Sequence, residues 1–244
     1  MAREFLSTVK FIGCQLDWRA MNPLATPAGR SIRSRQDKYD ERRVQLAESA
    51  LATLGELGYA RTSLREIAQN SPFSHGVVHY YFKDKTDLIL HCVRYYKARC
   101  MTRYDEVVAT ARTAEELRRG FADKLVETLR TEAPMHRLWY DLRNQSMFDP
   151  ALREDVAAID GGLCDMIDRV LTRYAELSGA ALRYDRNTAY AMLDGVFLSA
   201  LLEYVVERDA LVAGESDAED SATVAPDRLG DKVFDLLPDL VAAL

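Results

Sequence analysis

Between residues 40 and 88 the chain fits three short helical patterns, and the start of a longer one, into about fifty residues. That density restricts this stretch to a small helical module. Asp40 is a good N-cap, and Val44, Ala47, Leu51 and Leu54 recur at three- and four-residue steps as one apolar stripe. Gly58 stands where a helix end calls for a left-handed residue, and Tyr59 reads as a core plug. Thr62 or Ser63 caps a second helix. Glu66, three residues past Ser63, makes a capping box, and Ile67 and Ala68 face inward. Asn70, Ser71 and Pro72 form a turn, because proline cannot continue a helix. Ser74 caps a third helix, whose Val78 and Phe82 sit four apart and pack back on the first two. That choice turns His75, Gly76, Val77, His79 and Tyr80 outward. These are hydrogen-bonding and small groups rather than a solvated charge face, as on a helix that enters a DNA major groove. Lys83 and Lys85 follow, where a cation suits both the helix dipole and a phosphate.

The same residues resemble the tetracycline-repressor (TetR) family of bacterial regulators. The resemblance rests on Gly58-Tyr59, Thr62-Ser63, Ile67-Ala68 and Ser74-x-Gly76-x-Val78-x-Tyr80-Tyr81-Phe82-Lys83-x-Lys85-x-x-Leu88, many positions at fixed spacing over about fifty residues. One departure is local: Ser71-Pro72-Phe73 replaces the Ala-Gly-Val that often precedes the family's recognition helix, with Phe73 keeping the apolar plug. The resemblance implies a dimer whose last two long helices pair across a two-fold. It also implies an effector site in the middle helices and release from DNA by a pendulum motion of the helix that begins near Lys85.

Charge is divided along the chain. Residues 30–103 hold 14 Lys/Arg against 8 Asp/Glu, a net +6, whereas residues 104–244 hold 15 against 28, a net −13. A basic head on an acidic body suits DNA binding by one end only, although the two surfaces could also pair within a dimer. The overall net charge of −6 hides this split. Apolar residues make up 48%, enough for a real core, and Gly (12) and Pro (7) are sparse for a chain of 244 residues. No apolar run reaches the roughly 18 residues of a membrane span. Cys14, Cys92, Cys100 and Cys164 form no CxxC pair and fit a reducing cytosol. Residues 1–38 read as a flexible arm without a cleavage site, with Met21 as a second plausible start. Arg30, Arg33 and Arg35 in that arm either attract phosphate non-specifically or track a minor groove.

Beyond residue 85 the helical rhythm continues. One helix is predicted from about Lys85 to Val108, and another from the Thr113/Glu116 capping box to about Thr131. The next has Pro134 in its first turn, and a further one opens at Asp149-Pro150 and closes before Gly179. Asp185 opens another, residues 209–226 read as an acidic mobile loop, and a last helix spans about Asp227 to Val241. The expectation is an all-α chain of about nine helices. It comprises an arm (1–38), a three-helix helix-turn-helix DNA-binding domain (39–86) and a helical effector-binding and dimerisation domain (87–244).

Base reading is expected from Ser74, His75, Gly76, Val77 and His79, and phosphate or groove-edge contact from Thr62, Ser63, Arg65, Tyr80, Tyr81, Lys83, Lys85, Arg42 and Arg43. A small-molecule pocket is expected among Tyr104, Phe121, Leu125, Trp139, Tyr140, Arg143, Asn144, Met147, Phe148, Met166, Val170 and Tyr174, although a Met and aromatic stripe also describes a filled core. Asp141, Arg137 and His136 would anchor either an acid or a base there, or face water. A dimer interface is expected at Leu193, Val196, Phe197, Ala200, Leu201, Tyr204, Val233 and Phe234. His75 and His79 are i, i+4 but enclose Gly-Val-Val rather than the residues of an HExxH site, so no catalysis, metal or cofactor is expected.

The reading is thus a cytoplasmic, dimeric, ligand-responsive regulator on a palindromic operator. Repression is favoured, with activation left open. The alternative is a helical dimer that binds a small molecule or protein, its DNA-binding head vestigial.

Overall fold

A computed structural model describes residues 35–213 and 224–243, and residues 39–244 form one compact unit. Among the described residues the fold is nine α-helices plus two three-residue strands, all-α in class. Arm residues 1–34, with Arg30, Arg33 and Cys14, and residues 214–223 of the expected acidic loop lie outside the described residues.

Helix α1 (Arg35–Arg61) begins a turn earlier than Asp40. Its buried face is Leu46, Ala47, Ala50 and Leu54, while Val44 and Leu51 are half-buried. Several stripes on this helix satisfy the same spacing, and the helices it packs on select one. Gly58 has φ +74° and ψ 176°, a combination essentially confined to glycine, so the helix kinks there. The kink is secured twice: Tyr59 N–H donates to Asp141 Oδ2 at 2.8 Å, and Thr62 Oγ1 donates to the Gly58 carbonyl at 2.7 Å. Helix α2 (Leu64–Gln69) starts at Ser63 with the reciprocal Ser63/Glu66 capping box. Helix α3 (His75–Tyr81) starts at Ser74, whose hydroxyl accepts from Val77 N–H. Leu64, Ile67, Val78 and Phe82 are buried with the inner face of α1.

Helix α4 (Lys85–Cys100) ends eight residues before the expected Val108; a turn and a short α5 (Asp105–Thr110) follow. Its first half belongs to α1–α3: the Cys92 thiol donates to the Ala47 carbonyl, and Asp87 accepts from both Arg43 and Lys83 N–H. Cys92, Cys100 and Cys164 are free, buried thiols, packed as small apolar groups.

Residues 114–146 form one helix, α6 (Ala114–Ser146), with Pro134 inside it rather than in a new first turn. Proline leaves the carbonyl four residues back without its helical donor. That carbonyl belongs to Arg130, and the Tyr204 hydroxyl donates to it at 3.3 Å. The long-range partner lets the helix run through. Asp149 caps a 3₁₀ turn (Pro150–Leu152) that leads into α7 (Arg153–Ser178), which closes at Gly179.

Helix α8 (Arg186–Ala213) is opened by Asp185, which accepts from Asn187 N–H and Thr188 N–H. It extends through the first residues of the expected loop, and α9 starts early, at Val224 (Val224–Asp239). The last described residues are not helical. Strand β2 (Val241–Ala243) pairs antiparallel with β1 (Ala180–Leu182), a ladder too short to leave a period-two signal. Helix α6 packs on α7, α8 and α9. The expectation of no span-length apolar run is corrected at α8: Arg186–Leu211 is long and apolar enough to cross a membrane, with a third of its apolar window buried.

Candidate nucleic-acid interface and effector cavity

Helix α3 rests on Val78 and Phe82, both fully buried, and this fixes its rotation. Ser74, His75, Gly76, His79 and Tyr80 are exposed, Tyr80 by 73%. The His75 and His79 rings meet edge-on with centroids 4.4 Å apart. Arg65, Gln69, Ser74 and His75 edge a shallow groove between α2 and α3. Gly76 is informative: a Cβ built there would meet nothing within 4 Å, so the fold does not require glycine. A glycine inside a helix costs about 1 kcal/mol relative to alanine, and a backbone left bare on an exposed face suits close approach by another molecule. Arg65, Ser63 and Lys83 are also exposed, and Tyr81 is half-buried against Tyr39 at 4.9 Å.

Three expected contacts are corrected. Thr62 is buried, its hydroxyl committed to Gly58. Arg43 pairs with Asp87 at 3.3 Å and lies 4.7 Å over the Phe82 ring. Val77 is half-buried and packs on the core. Two others are free at one end only. Arg42 is exposed but stacks over Phe73 at 4.6 Å and donates to Gln45, and the Lys85 ammonium sits 4.5 Å over the Tyr59 ring. Desolvation lowers the Lys85 pKa, against the pull of Glu66 and Asp141.

A cavity of about 70 Å³ lies among α4, α6, α7 and α8. Of the residues expected around a pocket, Tyr104, Phe121, Leu125, Trp139, Tyr140 and Met166 line it. Asn144, Met147 and Phe148 do not: they sit at the exposed end of α6, with Phe148 81% exposed. Val170 and Tyr174 are buried further along α7, away from the lining. Arg143 stands behind the wall, donating to Asp194 Oδ2 at 2.7 Å.

His136, named from sequence as a possible anchor, lines the cavity, whereas sequence reasoning missed Lys97, Cys100, Arg103, Tyr190 and Asp194. A signal for Lys97 existed: Leu90, Val93, Lys97 and Cys100 share one helical stripe, all buried, with a lone charge among apolar groups. The polar wall is closely bonded. Glu132 accepts from Arg103 at 2.6 Å and from the Tyr96 hydroxyl, and Asp194 accepts from the Tyr140 hydroxyl at 2.8 Å. The Tyr190 hydroxyl donates to Asp160 at 2.8 Å. Burial raises the Tyr140 and Tyr190 phenols far above their usual range, and Asp194 and Asp160 reinforce the shift.

The expected interface residues are largely internal. Leu193 and Phe197 line the cavity, and Ala200, Leu201, Tyr204 and Val233 are buried within the chain itself. Phe234 is half-buried beneath the Arg118 guanidinium, and Val196 is half-buried. The face of α8 left open is Ala191, Gly195, Ser199, Leu202 and Val206, with Leu202 62% and Val206 68% exposed. The same spacing rule fits both faces, and the one chosen from sequence was the inner one.

A capped, outward-facing recognition helix on a three-helix support, joined to a helical body with an internal cavity, defines the class of helix-turn-helix DNA-binding proteins. Residues 46–92 match the family described as bacterial regulatory proteins, tetR family. The HTH-type transcriptional regulator BetI of Paraburkholderia xenovorans is 28% identical over 172 residues, 66% of this chain and 82% of that protein. The transcriptional regulator FadR from Bacillus subtilis in complex with stearoyl-CoA has a similar fold: TM-score 0.56 and 20% identity, over 80% of this chain and 96% of that one. So has a putative transcriptional regulator from Saccharomonospora viridis in complex with choline: TM-score 0.58 and 19% identity, over 83% and 98%. The chain thus carries at residues 46–92 a head that matches the tetR-family DNA-binding model, and it is similar over most of its length to HTH-type transcriptional regulators.

Proposed function

We propose that the chain is a cytoplasmic repressor that binds an inverted-repeat operator as a homodimer and leaves it when a small molecule enters the cavity. The observation that carries this is the exposed face of α3, with Gly76 bare at its centre. Ser74, His75, Gly76 and His79 read base edges, while Ser63, Arg65, Tyr80, Tyr81, Lys83, Lys85 and Arg42 hold phosphates. Residues 39–86 act as the DNA-binding domain and residues 87–244 as the effector and dimerisation domain. One α3 covers too few base pairs for useful specificity, so two copies act together on successive grooves. The open apolar stripe of α8 supports a second copy of this chain as its cover. Structural relatives carry ligands of opposite character, stearoyl-CoA and choline, which supports a ligand-gated reading without choosing the ligand.

Release follows from the course of α4. It starts at Lys85, directly after the recognition helix, and ends at Cys100 on the cavity wall. A ligand that prefers a displaced α4 swings the two recognition helices out of register. It does so only by the difference between its affinities for the two forms. A gel shift against the promoter next to the chain's own gene tests the proposal. Lys83→Ala should weaken binding to every sequence, whereas His75→Ala should change base preference by about 1–3 kcal/mol at one position. Equal losses on all sequences from both variants would overturn the assignment of readers.

A further inference from the structure

The cavity wall is unevenly satisfied. Its carboxylates are engaged: Tyr140 and Arg143 each donate to one oxygen of Asp194, and Arg103 and Tyr96 both donate to Oε2 of Glu132. Its donors are not. The Lys97 side chain is 1% exposed, and among the described residues its ammonium forms no ion pair and no hydrogen bond. It lies 5.0 Å from the Trp139 ring and 5.5 Å from the Tyr96 ring, with the Glu132 and Asp194 carboxylates near enough to act on its charge. The indole N–H of Trp139, a group that can only donate, is buried without an acceptor. Nε2 of His136 is likewise buried without a partner. Three unpaired polar groups on one small cavity, one of them a cation, are destabilising unless something supplies acceptors and negative charge.

The rest of the lining is apolar: Phe121 and Leu125 from α6, and Leu163, Met166 and Ile167 from α7. We infer that the effector is a small organic carboxylate with an apolar body. Its carboxylate sits on the Lys97 ammonium and the Trp139 N–H, and its body lies along α6 and α7. This rests on the regulator reading above and specifies its ligand. A quaternary ammonium ligand fits poorly, since the one charge on the wall without an ion-pair partner is already positive.

The charge on Lys97 at neutral pH is consistent with this. Burial lowers its pKa to about 8, which still leaves it protonated, with Arg103 pushing down and Cys100, Glu132 and Asp194 pulling up. His136 is kept neutral by burial and by the Lys97 and Arg103 charges. Tyr96 and Tyr190 stay protonated, and Asp160 is the carboxylate that α7 places behind the wall, accepting from the Tyr190 hydroxyl.

The test is calorimetric titration of the full chain with acetate, propionate and butyrate, sized to a cavity of about 70 Å³, each against its primary amide and its trimethylammonium counterpart. Carboxylates should bind at least tenfold more tightly than the matched amides, and about tenfold more weakly at pH 9 than at pH 7 as Lys97 loses its proton. Lys97→Met, close in shape and apolar, should abolish the preference for carboxylate while retaining amide binding. Trp139→Phe, which deletes the N–H but keeps an aromatic ring, should reduce the preference. No carboxylate binding, an amide or ammonium compound bound as tightly, or an unchanged preference in Lys97→Met would each overturn the inference. A gel shift run alongside separates the two claims. Specific DNA binding without any carboxylate binding refutes the ligand class alone; carboxylate binding without DNA binding refutes the regulator reading alone.

Discussion

Asp141 of α6 accepts the Tyr59 amide of α1 at 2.8 Å. The residue before it, Tyr140, lines the cavity, and Tyr59 follows the Gly58 kink and carries the Lys85 ammonium on its ring. Close by, Gly55 lets the two helices touch, since a Cβ there would lie 2.5 Å from Met135 Cε. One helix, α6, therefore reaches both the cavity and the support of α3.

Asp141→Ala should leave the Tyr59 amide unpaired and destabilise the chain by about 1–2 kcal/mol, read by urea denaturation. In gel shifts with and without effector it should also shrink the ligand's effect on DNA affinity, which in allosteric proteins is typically about 1–3 kcal/mol. Gly58→Ala, strained by its φ of +74° and 3.2 Å from Asp141 Oδ2, should cost about 1–3 kcal/mol. Coupling equal to wild type in Asp141→Ala would exclude this route.

Gly76→Ala separates folding from reading. With open space around the new methyl, stability should rise by about 0.5–1 kcal/mol while operator affinity falls. A variant that is both more stable and equally tight on DNA would show that α3 does not approach the duplex at this point.

Tyr204 and Pro134 should be energetically coupled. Tyr204→Phe removes the donor to the Arg130 carbonyl and should cost about 1 kcal/mol. In a Pro134→Ala background the restored amide serves that carbonyl, and the cost should nearly vanish. A double-mutant cycle with no interaction energy would refute the link.

Lys97 should leave a signature in the pH dependence of stability. Its folded pKa of about 8 lies below the ordinary value of 10.5, so the unfolded chain binds the extra proton between those values. The penalty is fully present below pH 8, is relieved as pH rises from 8 to 10.5, and is gone above. Lys97→Met should therefore be more stable than wild type at pH 7, by on the order of 3 kcal/mol, with the gap closing toward pH 10. Taking the difference between the two proteins cancels the phenols and thiols that also titrate there.

Leu202→Glu and Val206→Glu, on the open face of α8, should leave monomer stability nearly unchanged and abolish the dimer, as read by sedimentation. Leu201→Glu, buried on the opposite face, should unfold the chain instead. Dimers that survive both surface changes would place the interface elsewhere.

The Ser63/Glu66 capping box, the Gly58 break and the caps of α3 and α8 were legible in the sequence because each is a local bargain among neighbouring residues, whereas at the expected Thr113/Glu116 box only the Thr113 half forms and Glu116 accepts from Arg112 N–H instead. What was not legible depended on distant partners. Pro134 reads as a helix start until Tyr204 is seen to serve the freed carbonyl. The rotation of α8 is undetermined by its own residues, since Leu201 and Leu202 differ only in what lies opposite. Arg43 and Thr62 look like DNA ligands until Asp87 and the Gly58 carbonyl claim them. The cavity was half-read because aromatic residues announce a pocket, whereas Lys97 announces itself only as an exception within an apolar stripe.

The pairing of β2 with β1 has a consequence for synthesis. Translation delivers residues 46–92, the reading unit, about 150 residues before Val241–Ala243 emerge to clasp Ala180–Leu182. Until then α6 lacks its α9 cover and the body stands half-clad on the ribosome. A premature stop near residue 220 would therefore yield a chain with residues 46–92 intact and a raw apolar flank, one suited to clumping.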